Sequence, residues 1–340
     1  MEKVKIGVIC PSEIAFRRFM PAVQNCTDIE YIGVAHASAE EWFGEDNTIN
    51  NDILESDLKK AEGFKETYGG KIYNSYEELI KSDDIDAVYL PLPPALHFKW
   101  AKCALENGKN VFVEKPSTTS AVYTKELVRI AREKGLALHE NYMFMFHKQI
   151  EEINDIVSGG AIGDVRLYRI SFGFPMRGKN DFRYNKSLGG GALLDCGGYT
   201  IKLASMLLGQ TAHIVSSKLN YAEGFEVDIY GSAVMSNDEG LTAQISFGMD
   251  NSYKCDLEIW GSKASLNTGR ILTAPAGYTP TAEIKSNSGT KTIQLSPDDT
   301  FKKSIEYFVS CVNDEDIRKN NYAEIIRQAE FVDIMKEDEK

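Results

Sequence analysis

Three side chains in the 340-residue sequence could move a proton at an alcohol or carbonyl carbon. Lys115 stands in Glu114-Lys115-Pro116, directly after the apolar run 110–113. The C-terminal end of a parallel strand is where open α/β sheets place ligands, and the proline biases Lys115 towards an extended backbone. Asp195 and Tyr199 lie four apart in GGGALLDCGGY (189–199), on one face if that segment is helical. A phenol near an ammonium ionises below its usual value of about 10 and can then serve as general acid/base. The aspartate could orient substrate hydroxyls or the lysine. Three consecutive glycines mark close backbone approach or unusual dihedrals. Each residue also has an ordinary structural reading: a surface lysine before a turn, a capping aspartate, a packed tyrosine.

A second set of residues concerns a dinucleotide. The first strand and helix read IGVICPSEIAF (6–16), with Cys10, Ser12 and Ala15 where a G-x-G-x-x-G/A fingerprint has its small residues. Only Ala15 fits that pattern. Cys10 and Ser12 add a Cβ where phosphate should approach, and Pro11 removes a backbone donor. Ser12 can still cap the helix, while Glu13 suits a helix start but repels pyrophosphate. An ordinary strand–turn–helix is the alternative. Candidate cofactor-binding residues are Cys10, Ser12, Glu13 and Ile14 in this turn, His36 after the second strand, Leu92, Pro93 and His97 in YLPLPPALH (89–97), and Glu114 with Lys115. His97 reads equally as a core or capping histidine. The second strand ends in His36-Ala37-Ser38, without the acid that holds a ribose 2′-OH or the arginine that meets a 2′-phosphate. NAD and NADP are therefore both open.

The elements that must position these residues follow a clear rhythm. Apolar runs at 4–9, 29–35, 87–90, 110–113 and 136–139 alternate with helical patterns at 13–24, 45–67, 95–106 and 118–133. Asn74-Ser75 signals a cap before YEELI. Strands alternating with helices predict a doubly wound parallel sheet. Beyond about residue 145, a helix near 147–157 is followed by period-2 runs at 165–174, 212–222, 226–235, 241–249 and 253–261. They predict an α+β region with a large, mainly antiparallel open sheet. Two helices, about 301–312 and 322–336, close the chain. The expected domains are 1–120, with a last strand at 136–140, and 121–340.

Composition narrows the class. With 38 basic and 50 acidic residues the net charge is −12, which argues against nucleic-acid and anionic-membrane partners. Residues 40–66 carry nine acids and three bases, and 314–340 nine acids and five bases, so the rest is nearly neutral. Six cysteines without a CxxC pair predict free thiols in a reducing cytoplasm. No signal peptide, membrane span or metal site is expected.

Together, Glu114-Lys115-Pro116, GGGALLDCGGY, AVYLPLPPALHFKWAKCALENGKNVFVEKP (87–116) and ENYMFMFH (140–147) resemble the glucose–fructose oxidoreductase/inositol dehydrogenase (Gfo/Idh/MocA) family over nearly the whole chain. The resemblance implies a Rossmann-like first domain. It also implies hydride transfer between NAD or NADP and a carbinol or carbonyl carbon of a sugar, sugar derivative or cyclic diol. Lys115, Asp195 and Tyr199 would be the catalytic group, and tyrosine at the last position resembles the branch containing dimeric dihydrodiol dehydrogenase. A homodimer or homotetramer through the second sheet is implied as well. The rival expectation is a non-catalytic binding or regulatory protein with an eroded dinucleotide site. A third is an enzyme that keeps its cofactor bound and cycles it in place.

Overall fold

The computed structural model describes residues 2–43, 50–178 and 181–337, which fall into two units. Parts of the acidic runs 40–66 and 314–340, and the start of the helical pattern at 45–67, lie outside the described residues.

The first unit takes in the chain up to Thr118, Val122–Asn141 and Ser304–Ile326. Its strands are β1 (Val4–Ile9), β2 (Ile29–Ala35), β3 (Lys71–Tyr73), β4 (Ala87–Leu90), β5 (Asn110–Val113) and β6 (Leu138–Glu140). They form one parallel sheet in the order β3-β2-β1-β4-β5-β6. Every residue of β4 and β5 is buried, because a doubly wound sheet is covered on both faces. The order reverses between β1 and β4, and ligands of such sheets lie beyond the strand ends at that point.

Local chemistry explains where helices differ from expectation. Ser75 caps the helix Tyr76–Lys81 by accepting from the Glu78 N–H at 2.9 Å. The helix Ala121–Lys134 starts three residues later than its pattern suggests. Ser117 and Thr118 are held in a turn, their hydroxyls 3.1 and 2.8 Å from Thr124 Oγ1. The last helix starts at Glu315 rather than near 322, because Asp314 accepts from the N–H groups of Asp316 and Ile317 at 2.9 and 3.0 Å. Asn321 and Tyr322 then donate to the carbonyls of Leu138 and Leu136, bracing the edge strand β6.

The second unit holds 142–303 with two short pieces, 119–121 and 327–340. Its strands are β7 (Val165–Gly173), β8 (His213–Tyr221), β9 (Asp228–Ser236), β10 (Thr242–Gly248), β11 (Lys254–Gly261), β12 (Ala264–Gly269), β13 (Thr281–Ser286) and β14 (Gly289–Gln294). The sheet order is β14-β13-β12-β11-β7-β10-β9-β8, antiparallel except for the parallel pair β7–β10. One face buries Tyr168, Ile170, Phe172, Ile245 and Phe247 beneath the helix Gly198–Leu208. The opposite face exposes Arg169, Ser232 and Gln244. Among the described residues, no helix is long and apolar enough to cross a membrane.

Candidate active site

The phosphate-type turn leaves β1 without a fingerprint glycine, yet its backbone takes a glycine-like path. Cys10 has φ +79°, in the left-handed region that L side chains rarely adopt. The Ser12 N–H donates to the Cys10 carbonyl at 2.8 Å, and Ser12 Oγ accepts from the Ala15 N–H at 3.3 Å. The helical segment that begins here continues through the π-turn Ala15–Phe19 into Met20–Gln24. Glu13 and Ile14 are exposed, and Glu13 pairs with Arg17 at 2.7 Å. Burial pushes the Cys10 thiol up to about 12, so it stays protonated. Two features of this turn suit a dinucleotide phosphate: the left-handed path at Cys10 and the positive partial charge of the helix N-terminus that follows, with Glu13 opposing them.

Beyond β4 and β5 the turns are locked from below. Glu114 is buried, and its Oε1 accepts from the Tyr89 hydroxyl and Asn141 Nδ2, both at 2.7 Å. Burial holds its carboxyl above the usual range, opposed by those two donors. Ser304 donates to Asn141 Oδ1 at 2.8 Å and lies 2.9 Å from His139 Nε2, so the network runs across the unit. Glu140 accepts from the Ser117 N–H at 2.6 Å. Lys115, half-buried between these anchors, precedes a cis peptide to Pro116.

His97 is wholly buried, and its ring nitrogens each lie 2.7 Å from a carbonyl, those of Pro116 and Leu92. It ties the turn carrying Leu92 and Pro93 to the turn carrying Lys115. Both nitrogens face carbonyls of the chain itself, and the one that carries the proton donates, so His97 braces these two turns. Burial pushes its imidazole down to about 4, against the pull of the two carbonyls. His36 is half-buried after β2, its Nδ1 3.2 Å from the Ala37 carbonyl.

In the second unit, Asp195 lies in the π-turn Leu193–Gly197 and Tyr199 in the helix that follows. The Asp195 carboxylate accepts from Arg183 Nε at 2.7 Å, and Arg183 also holds Asp181 at 3.0 Å. The Tyr199 ring is enclosed by Tyr142, Phe144 and Phe172 at centroid distances of 5.3, 5.9 and 5.3 Å. Its hydroxyl lies 3.8 Å from Met143 Sδ. The glycines make this packing possible. A Cβ on Gly198 would meet the Tyr142 hydroxyl at 2.1 Å. Gly191 has φ +120°, and a Cβ there would meet Asp228 Oδ1 at 2.3 Å, while Asp228 Oδ2 accepts from the Leu193 N–H at 2.7 Å. Arg183, Asp228 and Tyr142 were not identified from sequence. Arg183 sits in the same polar segment as Asp195, but no helical or strand spacing links two residues joined across a loop.

A parallel sheet in the order 3-2-1-4-5-6 is the arrangement that binds dinucleotides at its switch point. Residues 29–142 match the oxidoreductase family with an NAD-binding Rossmann fold, and residues 150–267 match the GFO/IDH/MocA C-terminal domain. The chain belongs to the Gfo/Idh/MocA oxidoreductase family. It is 34% identical to dTDP-3,4-didehydro-2,6-dideoxy-alpha-D-glucose 3-reductase of Actinomadura kijaniata, over 98% of this chain and 95% of that protein. The solved structure of KijD10, a 3-ketoreductase from Actinomadura kijaniata in complex with NADP and TDP-benzene, superposes with a TM-score of 0.89 at 34% identity, covering 99% of this chain and 98% of that one. Trans-1,2-dihydrobenzene-1,2-diol dehydrogenase of Xenopus tropicalis is 38% identical over 49% of this chain and 51% of its own. The chain is an NAD(P)-dependent oxidoreductase, and the non-catalytic alternative is set aside.

Three outcomes follow from these contacts. Cys10→Gly removes a Cβ from a left-handed turn and tightens NADH binding, whereas Cys10→Val weakens it, as read by nicotinamide fluorescence titration. Gly198→Ala drives the Tyr142 hydroxyl aside and lowers unfolding stability by about 1–3 kcal/mol in urea. Folded His97 stays neutral down to about pH 4, whereas an unfolded histidine takes its proton near 6.5. Stability therefore falls as pH drops through that window, and His97→Asn, though less stable at pH 7, shows a shallower fall in urea melts at pH 7 and 4.5.

Proposed function

We propose that this enzyme reversibly reduces a keto group on a sugar carried by a nucleoside diphosphate. The observation that carries this reading is that the 3-reductase of a dTDP-linked keto-sugar from Actinomadura kijaniata aligns over nearly both whole chains. The likeness to the diol dehydrogenase covers about half of each chain and supports the diol reading less.

Nicotinamide, when bound, supplies or accepts the hydride. Tyr199 gives the proton to the nascent alkoxide oxygen in reduction and takes it back in oxidation. Lys115 provides the positive charge that favours the phenolate form. Asp195, held by Arg183, accepts from substrate hydroxyls and sets the sugar's orientation. The aromatic enclosure restrains the phenol, so little ordering is left for the reacting complex. Structures of the Actinomadura kijaniata enzyme with a substituted tyrosine and a substituted lysine concern the same residue types.

We also propose that the chain works in the reducing cytoplasm, in keeping with six free thiols. A homodimer or homotetramer would cover the open sheet face, where Trp260 is 52% and Tyr230 48% exposed. A monomer in sedimentation would overturn the assembly.

The activity is tested by absorbance at 340 nm with a panel of dTDP-linked keto-sugars, free sugars and cyclic diols. Turnover is expected with the nucleotide-linked sugars. Tyr199→Phe should lower kcat by about 100-fold or more, the scale of a lost general acid. Normal turnover in that variant would refute the proton role, and turnover confined to diols would refute the substrate class.

A further inference from the structure

The residues that follow β2 are arranged against a phosphate. Two backbone N–H groups emerge there, from Ala37 and Ser38, and both are already taken by carboxylates. Asp57 Oδ2 accepts from the Ala37 N–H at 3.1 Å, and Glu41 Oε2 from the Ser38 N–H at 2.9 Å. Glu41 is fixed further by the N–H groups of Tyr76 and Glu77, each at 3.0 Å, and Ser38 Oγ accepts from the Glu41 N–H at 3.2 Å.

Asp57 reaches this place from the helix Asn51–Tyr68, inserted between β2 and β3. With Ala61 and Phe64 it forms the buried face of that helix, and it is 2% exposed. An acid on the apolar stripe of a helix is costly unless it is used. Burial raises the Asp57 carboxyl above its usual range, opposed by the Ala37 N–H that donates to it and by the Lys60 ammonium. The ends of β1 and β2 are joined there, since the Cys10 N–H donates to the Ala35 carbonyl at 3.1 Å two residues before Ala37.

In this fold the adenosine ribose lies at the end of the second strand. A free 2′-hydroxyl donates, and carboxylates accept. A 2′-phosphate brings about two negative charges and needs donors, but here both strand-end donors are occupied and residues 36–43 contain no arginine.

We propose that Asp57, supported by Glu41, selects NAD(H) over NADP(H), replacing from an inserted helix the acid missing at the end of β2. This rests on the nicotinamide-dependent reading above. It departs from the NADP present in the structure of the Actinomadura kijaniata ketoreductase.

The test is equilibrium titration of the full-length protein with NADH and with NADPH, followed by nicotinamide fluorescence. Wild type should bind NADH at least about tenfold more tightly, the discrimination expected from like-charge repulsion at a partly buried site. Asp57→Asn, which keeps an acceptor for Ala37, should reduce that ratio about tenfold. Glu41→Gln should move it in the same direction and serves if Asp57→Asn does not fold by circular dichroism. Equal or tighter NADPH binding by wild type overturns the proposal. Equal weakening of both cofactors in the variants reduces these acids to a structural role and overturns it too. Binding of neither cofactor to wild type removes the nicotinamide reading itself, and this inference with it.

Discussion

A carboxylate sealed inside a protein must be met by donors, and the one on Glu114 dictates much of the first unit. It accepts from Tyr89 on the neighbouring strand β4 and from Asn141, just past β6. Three of the six parallel strands are thereby tied together at their C-terminal ends. His97 and Glu140 hold the next residues of the same turn through Pro116 and Ser117. The lysine between them inherits a backbone held on both sides.

The same economy appears where glycine is absent. Cys10 takes the left-handed conformation that a fingerprint glycine would otherwise supply. Its peptide groups are held there, the N–H donating to the Ala35 carbonyl at 3.1 Å and the carbonyl accepting from the Ser12 N–H at 2.8 Å. In the second unit the relation is inverted. Gly191 and Gly198 are glycines because Asp228 and Tyr142 occupy the volume a side chain would need. Residue type and backbone path are therefore separable, and a motif defined by residue type alone can miss a turn that keeps its path.

What could be read from sequence tracks what hydrophobic patterning can report. β4 and β5 coincide with their apolar runs because both are buried throughout, and β1 and β2 coincide with theirs although Lys5 and Glu30 interrupt them. β3 is three residues long and was not distinguishable. Lys115, Asp195 and Tyr199 stood out by type and spacing, but Arg183 did not, since an ion pair across a loop leaves no periodic trace. Asp57 was visible in principle. Its spacing to Ala61 and Phe64 sets an acid on the apolar side of a helix, a local conflict of the kind that marks a functional position. Helix starts at Ala121 and Glu315 moved for a related reason: hydroxyl and carboxylate caps decide ends, and apolar spacing says little about them.

The hairpin β13–β14 also escaped the hydrophobic reading, since most of its residues are exposed and only Ala282, Ile284 and Ile293 pack on the core. An outermost strand of a wide sheet offers unpaired backbone groups to any passing strand. In β14, GTKTIQ, a lysine and neighbouring polar residues make that offer unattractive to an apolar partner. The feature that hid this hairpin is what allows an eight-stranded sheet to stop in solvent rather than continue into an aggregate.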